Sequence, residues 1–296
     1  MNGIILKALS GFYYVGCGSE IYECKARGSF RKNGISPLVG DFVEFEITEN
    51  MHGIIERVCE RKTCLYRPPV ANIERLFIIS SFATPSPNSY IVDRLTAIAV
   101  YNGIKPYIVF NKCDMGDFED WRRIYGNAGF ETFVVSAATG EGTEELRIAL
   151  KNSVCAFTGN SGVGKSSLIN RLFGSQIETG DVSEKLGRGR HTTRHTELFI
   201  NPDGGYVADT PGFSSIEYDS GDYGFKEQLA ECFPDFERFT GSCRFSTCSH
   251  TCENGCGVLK AVEDGLVEPT RHRSYVELFN ELKQLKPWEA HNRKKK

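Results

Sequence analysis

Val154-Cys155-Ala156-Phe157-Thr158-Gly159-Asn160-Ser161-Gly162-Val163-Gly164-Lys165-Ser166-Ser167 is the stretch that decides the fold of this chain. An apolar run leads into Gly-x-x-x-x-Gly-Lys-Ser and then into Leu168-Ile169-Asn170-Arg171-Leu172, so a strand, a glycine loop and a helix follow in succession. In that context the glycines let backbone N–H groups turn toward phosphate oxygens, and the N-terminus of the helix adds a favourable dipole. The candidate phosphate-binding residues are Gly159, Asn160, Ser161, Gly162, Val163, Gly164, Lys165, Ser166 and Ser167. Lys165 is placed to reach the β- and γ-phosphates, and Ser166 to ligate Mg²⁺.

Upstream lies Asn111-Lys112-Cys113-Asp114, directly after the strand-like run Tyr107–Phe110. A carboxylate at Asp114 accepts hydrogen bonds from both N1–H and the N2 amino group of guanine; adenine offers no such pair. Asn111 and Lys112 brace the loop and cover the base. Ser136, Ala137 and Ala138 follow Val134-Val135 and are placed to back the guanine with backbone groups. These side chains emerge where strands end, which is where open α/β sheets bind ligands. Downstream, Asp209 ends the run Tyr206–Ala208 and begins Asp209-Thr210-Pro211-Gly212. Asp209 is placed to hold Mg²⁺, and Gly212 to offer its N–H to the γ-phosphate. The order is thus guanine box, phosphate loop, switch, whereas ordinary small GTPases begin with the phosphate loop.

Between the loop and Asp209 runs Gly187-Arg188-Gly189-Arg190-His191-Thr192-Thr193-Arg194-His195, where a first switch belongs. Thr192 or Thr193 completes the Mg²⁺ shell; the sequence leaves open which. The position after Gly212 is Phe213, where Ras-type enzymes carry a water-orienting glutamine. A benzyl group cannot hydrogen-bond water, so His191 is the catalytic candidate. Unassisted enzymes of this logic turn over at roughly 10⁻⁴–10⁻² s⁻¹, and supplied groups add ~10³–10⁵-fold. Slow intrinsic turnover and a partner that orders the switch are therefore expected.

A length of 296 residues suggests two or three domains. The net charge of −3 excludes a polycation, so nucleic-acid contact must use local patches. Residues 1–66 read as all-β: Ile4–Leu9, Phe12–Val15, Ile21–Ala26, Asp41–Ile47 and Gly53–Val58 are short, β-branched and aromatic, and punctuated by Gly and Asn. A small barrel, an OB-fold by preference, fits that length. Arg27, Arg31, Lys32, Arg57, Arg61 and Lys62 are candidates for phosphate contact there, each equally a solvated surface charge. Residues 67–222 alternate strand and helix patterns, which predicts a parallel α/β domain. Its helix at Ile91, Leu95 and Ile98 has Asn88 as cap and Gly103 as stop. Residues 223–296 turn aromatic, charged and Cys/His-rich, with a helical part over Glu263–Asn280 and a basic tail. No signal peptide and no span of about 18 apolar residues is visible, so a cytoplasmic monomer without a membrane is expected.

The 11 cysteines are an odd number, and four cluster at 243, 248, 252 and 256. A disulfide framework would be unusual in a chain this long with a nucleotide site. Cys243, Cys248, His250 and Cys256 form a Cys₃His set suited to one closed, structural Zn²⁺, with Cys252 a fifth candidate.

With those boxes and that spacing, the chain resembles the circularly permuted GTPases known as ribosome small-subunit-dependent GTPase A, over nearly its whole length. The resemblance implies an N-terminal OB-fold that binds RNA, a permuted P-loop GTPase domain and a mostly helical C-terminal zinc-binding domain. It implies late maturation of the 30S subunit, contact with its rRNA, and hydrolysis of GTP to GDP stimulated by that particle. The histidine matching His191 is the one proposed as catalytic in the family, and Cys252 is not a family ligand. Because the second switch runs into the zinc domain, the γ-phosphate state is expected to set the angle between the two. Two other readings are weighed against this one: an RNA-binding adaptor with a largely structural GTP site, and a metal-delivery GTPase.

Overall fold

The computed structural model describes residues 1–32, 34–48, 51–66, 68–82, 87–174, 196–209 and 224–284, without the side chains at 31, 32, 66, 209 and 224. The chain divides into two compact units: Met1–Phe77, Thr143–Thr158 and Lys165–Ile216 in the first, and Ile78–Gly142, Gly159–Gly164 and Glu217–Lys296 in the second.

The first unit opens with β1 (Asn2–Leu9), β2 (Phe12–Cys17), β3 (Glu20–Ala26), the short α1 (Gly28–Lys32), β4 (Phe42–Ile47) and β5 (His52–Val58). The strand order is β1-β2-β3-β5-β4, and β1 pairs again with β4, which closes the barrel. The β3–β5 pairing is parallel and the other pairings around the barrel are antiparallel. This is the five-stranded closed architecture of an OB-fold. Alternation explains it: Val43 and Phe45 of β4 and Gly53 and Ile55 of β5 point inward, and their neighbours along the strands are more exposed. Observed strands begin within two residues of the sequence expectation.

Of the barrel's basic residues, Arg27 pairs with Glu56 and Arg57 with Glu44. Arg61 is held by the fully buried Asp41 through Nε–Oδ1 at 2.7 Å and Nη2–Oδ2 at 2.8 Å. Lys62 lies 3.8 Å from Glu74. Each of these charges has a carboxylate within 4 Å, while Arg27, Arg57 and Lys62 remain mostly exposed.

Beyond the barrel come a ribbon of β6 (Cys64–Tyr66) with β7 (Pro69–Ala71), and β8 (Arg75–Ser81), which gives Arg75–Phe77 to the first unit and Ile78–Ser81 to the second. The second unit continues with α2 (Ser89–Tyr101), β9 (Lys105–Asn111), α3 (Glu119–Asn127) and β10 (Glu131–Val135). Asn88 caps α2, its Oδ1 accepting from Ile91 N at 3.3 Å, and Gly103 turns the chain out at φ +70°. Strands β9 and β10 run parallel with Asn111 opposite Val135, so the ends carrying the guanine box and the Ser136 loop lie side by side.

The first unit then takes up α4 (Thr143–Ala149), β11 (Ser153–Thr158), α5 (Lys165–Phe173), β12 (Glu197–Ile200) and β13 (Gly205–Asp209). β11 and β13 are parallel, as expected, but β12 is antiparallel to β13 and to β1. Lys7 of β1 faces Glu197 of β12 and binds it at 3.0 Å. Sequence pattern marks a strand at 197–200 without giving its direction, because period two is the same either way.

The C-terminal part of the second unit is short turns followed by α6 (Gly257–Glu263) and α7 (Pro269–Gln284). The helical stretch expected over Glu263–Asn280 is largely α7: Glu263 ends α6, Gly265 turns the chain at φ +72°, and α7 starts at Pro269. Among the described residues no helix is long and apolar enough to cross a membrane.

Candidate functional site

The guanine box forms where β9 runs out. Asn111 is 1 % exposed and bonds in two directions. Its Nδ2 donates to Val163 O at 2.9 Å, and its Oδ1 accepts from Ala137 N at 3.0 Å. One side chain therefore ties the phosphate loop to the Ser136–Ala138 loop. Lys112 follows in the left-handed region at φ +67°, a conformation that costs on the order of 1–3 kcal/mol outside glycine. That turn sends its ammonium back across the loop, where Nζ donates to Gly162 O at 2.9 Å. Asp114 is exposed on the same short turn, and Ser136 Oγ donates to its Oδ1 at 2.5 Å. Ser136 Oγ in turn accepts from Thr139 N at 3.1 Å, which fixes its direction. The carboxylate is thereby oriented toward solvent before any ligand arrives. Burial and the neighbouring Glu141 push the Cys113 thiol up.

The phosphate loop meets this box closely. Gly159 sits at φ +142°, and a Cβ there would come within 2.2 Å of Ile79 O. Gly164, at φ +92°, leaves no room either: a Cβ would stand 2.4 Å from Asn111 Nδ2. Glycine at 164 is therefore what lets Asn111 reach Val163. Lys165, Ser166 and Ser167 open α5, whose Leu168, Ile169, Leu172 and Phe173 are buried. The first N–H groups of that helix have no partner inside the helix, which suits an anion. Of the switch residues, Asp209 is described only in its backbone, at the end of β13. His191, Thr192, Thr193, Gly212 and Phe213 lie outside the described residues.

A second cluster lies in the C-terminal part. The ligand atoms of Cys243, Cys248, His250 and Cys256 all fall within 4.8 Å of one another. Cys243 and Cys256 sulfurs are 3.9 Å apart, and His250 Nδ1 is 3.5 Å from the first and 3.6 Å from the second. A tetrahedron with metal–sulfur near 2.3 Å and metal–nitrogen near 2.0–2.1 Å has edges of about 3.8 and 3.6 Å. Cys243, Cys256 and His250 therefore stand where such an ion needs them, Cys248 lies within the same 4.8 Å, and this cluster could hold a metal. Gly257 N donates to Cys243 Sγ at 3.3 Å and Leu259 N to Cys256 Sγ at 3.5 Å, bonds that favour thiolates. Burial pushes the Cys248 thiol up to about 12 without a cation, and a bound cation reverses that preference. Burial also pulls His250 down toward the neutral imidazole that ligates metal. Cys252 is exposed and stands outside the cluster.

Sequence reasoning missed two residues. Glu253 accepts from Ser249 Oγ at 2.5 Å and from the amides of Ser249, Thr251 and Cys252, pinning the loop that carries His250. Arg271 is 1 % exposed and binds two aspartates, Asp93 and Asp235. Asp93 did carry a signal: it is a lone acid among Ile91, Val92, Leu95 and Ala97 on an apolar helix.

A guanine box that precedes its phosphate loop in an α/β sheet, with a five-stranded barrel ahead and a Cys₃His cluster behind, defines a circularly permuted P-loop GTPase fold. The family described as RsgA GTPase matches residues 58–219, and the RsgA N-terminal domain matches residues 2–55. The chain belongs to the RsgA GTPase family. A "Small ribosomal subunit biogenesis GTPase RsgA" from Caldanaerobacter subterraneus subsp. tengcongensis is 42% identical over 288 residues, covering 96% of this chain and 96% of that relative. The protein of the same name from Clostridium acetobutylicum is 42% identical over 286 residues, 95% of this chain and 98% of its own. Two solved structures are similar throughout: YloQ, described as a circularly permuted GTPase, with a TM-score of 0.80 at 34% identity over 97% of this chain and 96% of that one. YjeQ from Thermotoga maritima has a TM-score of 0.81 at 34% identity over 96% of this chain and 99% of that one.

Proposed function

We propose that this chain hydrolyses GTP to GDP and phosphate, binds the small ribosomal subunit and its rRNA, and assists late maturation of that subunit, which stimulates the hydrolysis. The observation that carries the reading is Asn111, whose one amide holds the guanine box, the Ser136–Ala138 loop and the phosphate loop in register. That register supports binding of one molecule: Asp114 for the guanine edge, Gly159–Gly164 for the phosphates. The names of the relatives supply the small subunit. The protein works in the cytoplasm as a monomer, with domains over 1–66, 67–222 and 223–296.

Ser166, Asp209 and either Thr192 or Thr193 would hold Mg²⁺, which would supply positive charge to the phosphates. Lys165 does the same from the loop. Asp114 binds and orients the base without touching the reacting atoms. His191 positions water, and Gly212 offers its N–H to the γ-phosphate. The Cys₃His cluster would hold a structural Zn²⁺.

GTP turnover with and without purified small subunits tests the reading. Turnover is slow alone, in the range of about 10⁻⁴–10⁻² s⁻¹, and rises by roughly 10³-fold or more with subunits. GTP binding that small subunits leave without any stimulated turnover overturns it in favour of an RNA-binding adaptor.

A further inference from the structure

Arg271 belongs to none of the motifs, yet it is among the most buried side chains of the second unit. Helix α7 carries it past the Cys/His cluster. One residue on, His272 Nε2 donates to His250 O at 2.7 Å, and one turn on, Tyr275 OH donates to Ser249 O at 2.9 Å. The backbone of the metal loop is thus hung on α7. Arg271 itself, one turn before Tyr275 on that helix, bonds elsewhere. Its Nη1 donates to Asp93 Oδ1 at 2.6 Å, and its fork grips Asp235 through Nη2 at 2.7 Å and Nε at 3.2 Å. The guanidinium lies against the rings of Phe233, Phe130 and Tyr125, at 4.7, 5.2 and 5.8 Å from their centroids.

Asp93 sits on α2, and α2 has a second contact. Ile91, Val92 and Leu95 line a cavity of about 10 Å³ together with Gly159, Asn160 and Val163 of the phosphate loop. At ~100° per residue, positions 91 and 95 share one face of a helix and 93 takes the opposite one. Helix α2 therefore touches the phosphate loop on one side and Arg271 on the other. Val163 is also the residue whose carbonyl Asn111 holds. From the carbonyl of His250 to the carbonyl of Val163 the path consists of two helices and buried contacts, all inside one compact unit.

Why an ion triad should stand here is a question of geometry rather than strength. Apolar side chains of similar volume often hold such an interface at least as stably. They also let helices slide, whereas a guanidinium fork and two carboxylates fit in one register.

We propose that Arg271 is a positioning residue that couples the Cys₃His cluster to the phosphate loop, so that metal occupancy sets how tightly guanine nucleotide is held. The inference rests on the guanine-nucleotide reading of the site.

The test uses the full chain and a fluorescent mant-GDP, with its dissociation rate measured before and after the metal is stripped by a chelator in reducing buffer. Stripping speeds release roughly tenfold, inside the 5–150-fold range of ordinary coupling. In the triple variant Arg271→Met, Asp93→Leu, Asp235→Leu, metal content stays at the wild-type level while release becomes insensitive to stripping. Should that variant not fold, Arg271→Lys, which keeps the charge and loses the fork, serves in its place and shows a reduced response. Release that is metal-independent in the wild type, or a variant that responds as the wild type does, overturns the inference alone. No mant-GDP binding in any form overturns the nucleotide reading, and the inference with it.

Discussion

In the barrel, Ile4, Val15, Val43, Phe45 and Ile55 are nearly fully buried, and two of its arginines, Arg27 and Arg57, lie at the surface against glutamates. In the C-terminal part the arrangement is reversed. An arginine lies inside with its two aspartates, and three thiols and an imidazole gather where they could hold a cation. The same residue types thus do different work. Exposed pairs such as Arg57–Glu44 are screened by solvent and hold little. Buried ones contribute through what their loss would strand, because an unpaired charge in the interior has no water to fall back on.

The sharpest way to break this contrast is to remove the metal. Binding of a structural ion is worth about 10–16 kcal/mol in small domains. Cys256→Ser should lose bound metal and unfold the region around 243–284, while the barrel stays folded. Metal analysis with hydrogen exchange reads both; metal content at the wild-type level contradicts the Cys₃His assignment.

Next comes the pair Arg271→Ala and Arg57→Ala. The first strands Asp93 and Asp235 and should cost about 3–5 kcal/mol. The second should leave the denaturation midpoint where it was. Equal effects would erase the distinction between buried and exposed charge on which the comparison rests.

The smallest expected effect concerns Glu253. Burial alone would raise its carboxyl, but bonds from the Ser249 hydroxyl and neighbouring amides outweigh that and hold it at about 2. An unfolded glutamate titrates near 4.3. Its stabilisation is therefore full above about 4.3 and is lost as pH falls through about 2. Glu253→Gln should lower thermal stability at pH 7, and the gap to wild type should close as the solution is acidified. A gap that widens in acid contradicts the assignment.

The sequence was legible wherever one local rule governs. Short β-branched and aromatic runs punctuated by Gly and Asn gave the five barrel strands, and Asn88 and Gly103 bracketed α2 as cap and stop. The nucleotide residues were legible because phosphate and guanine chemistry demands fixed types at fixed spacing. What stayed hidden depends on partners distant in the chain. Lys7 finds Glu197, and Arg271 finds Asp93, across separations that no periodicity encodes. The barrel arginines were legible as charges but not as pairs, since pairing is decided by strand register.

The central claim is that a reordered chain still builds one guanine-nucleotide pocket around Asp114. The affinities of Asp114→Asn for GTP and for XTP test it most directly. Two hydrogen bonds to a charged group are worth about 3–6 kcal/mol together, so GTP binding should weaken roughly 10²–10⁴-fold. XTP, whose purine carries an oxygen where guanine carries the amino group, should become the better ligand. Unchanged GTP affinity in that variant contradicts the account.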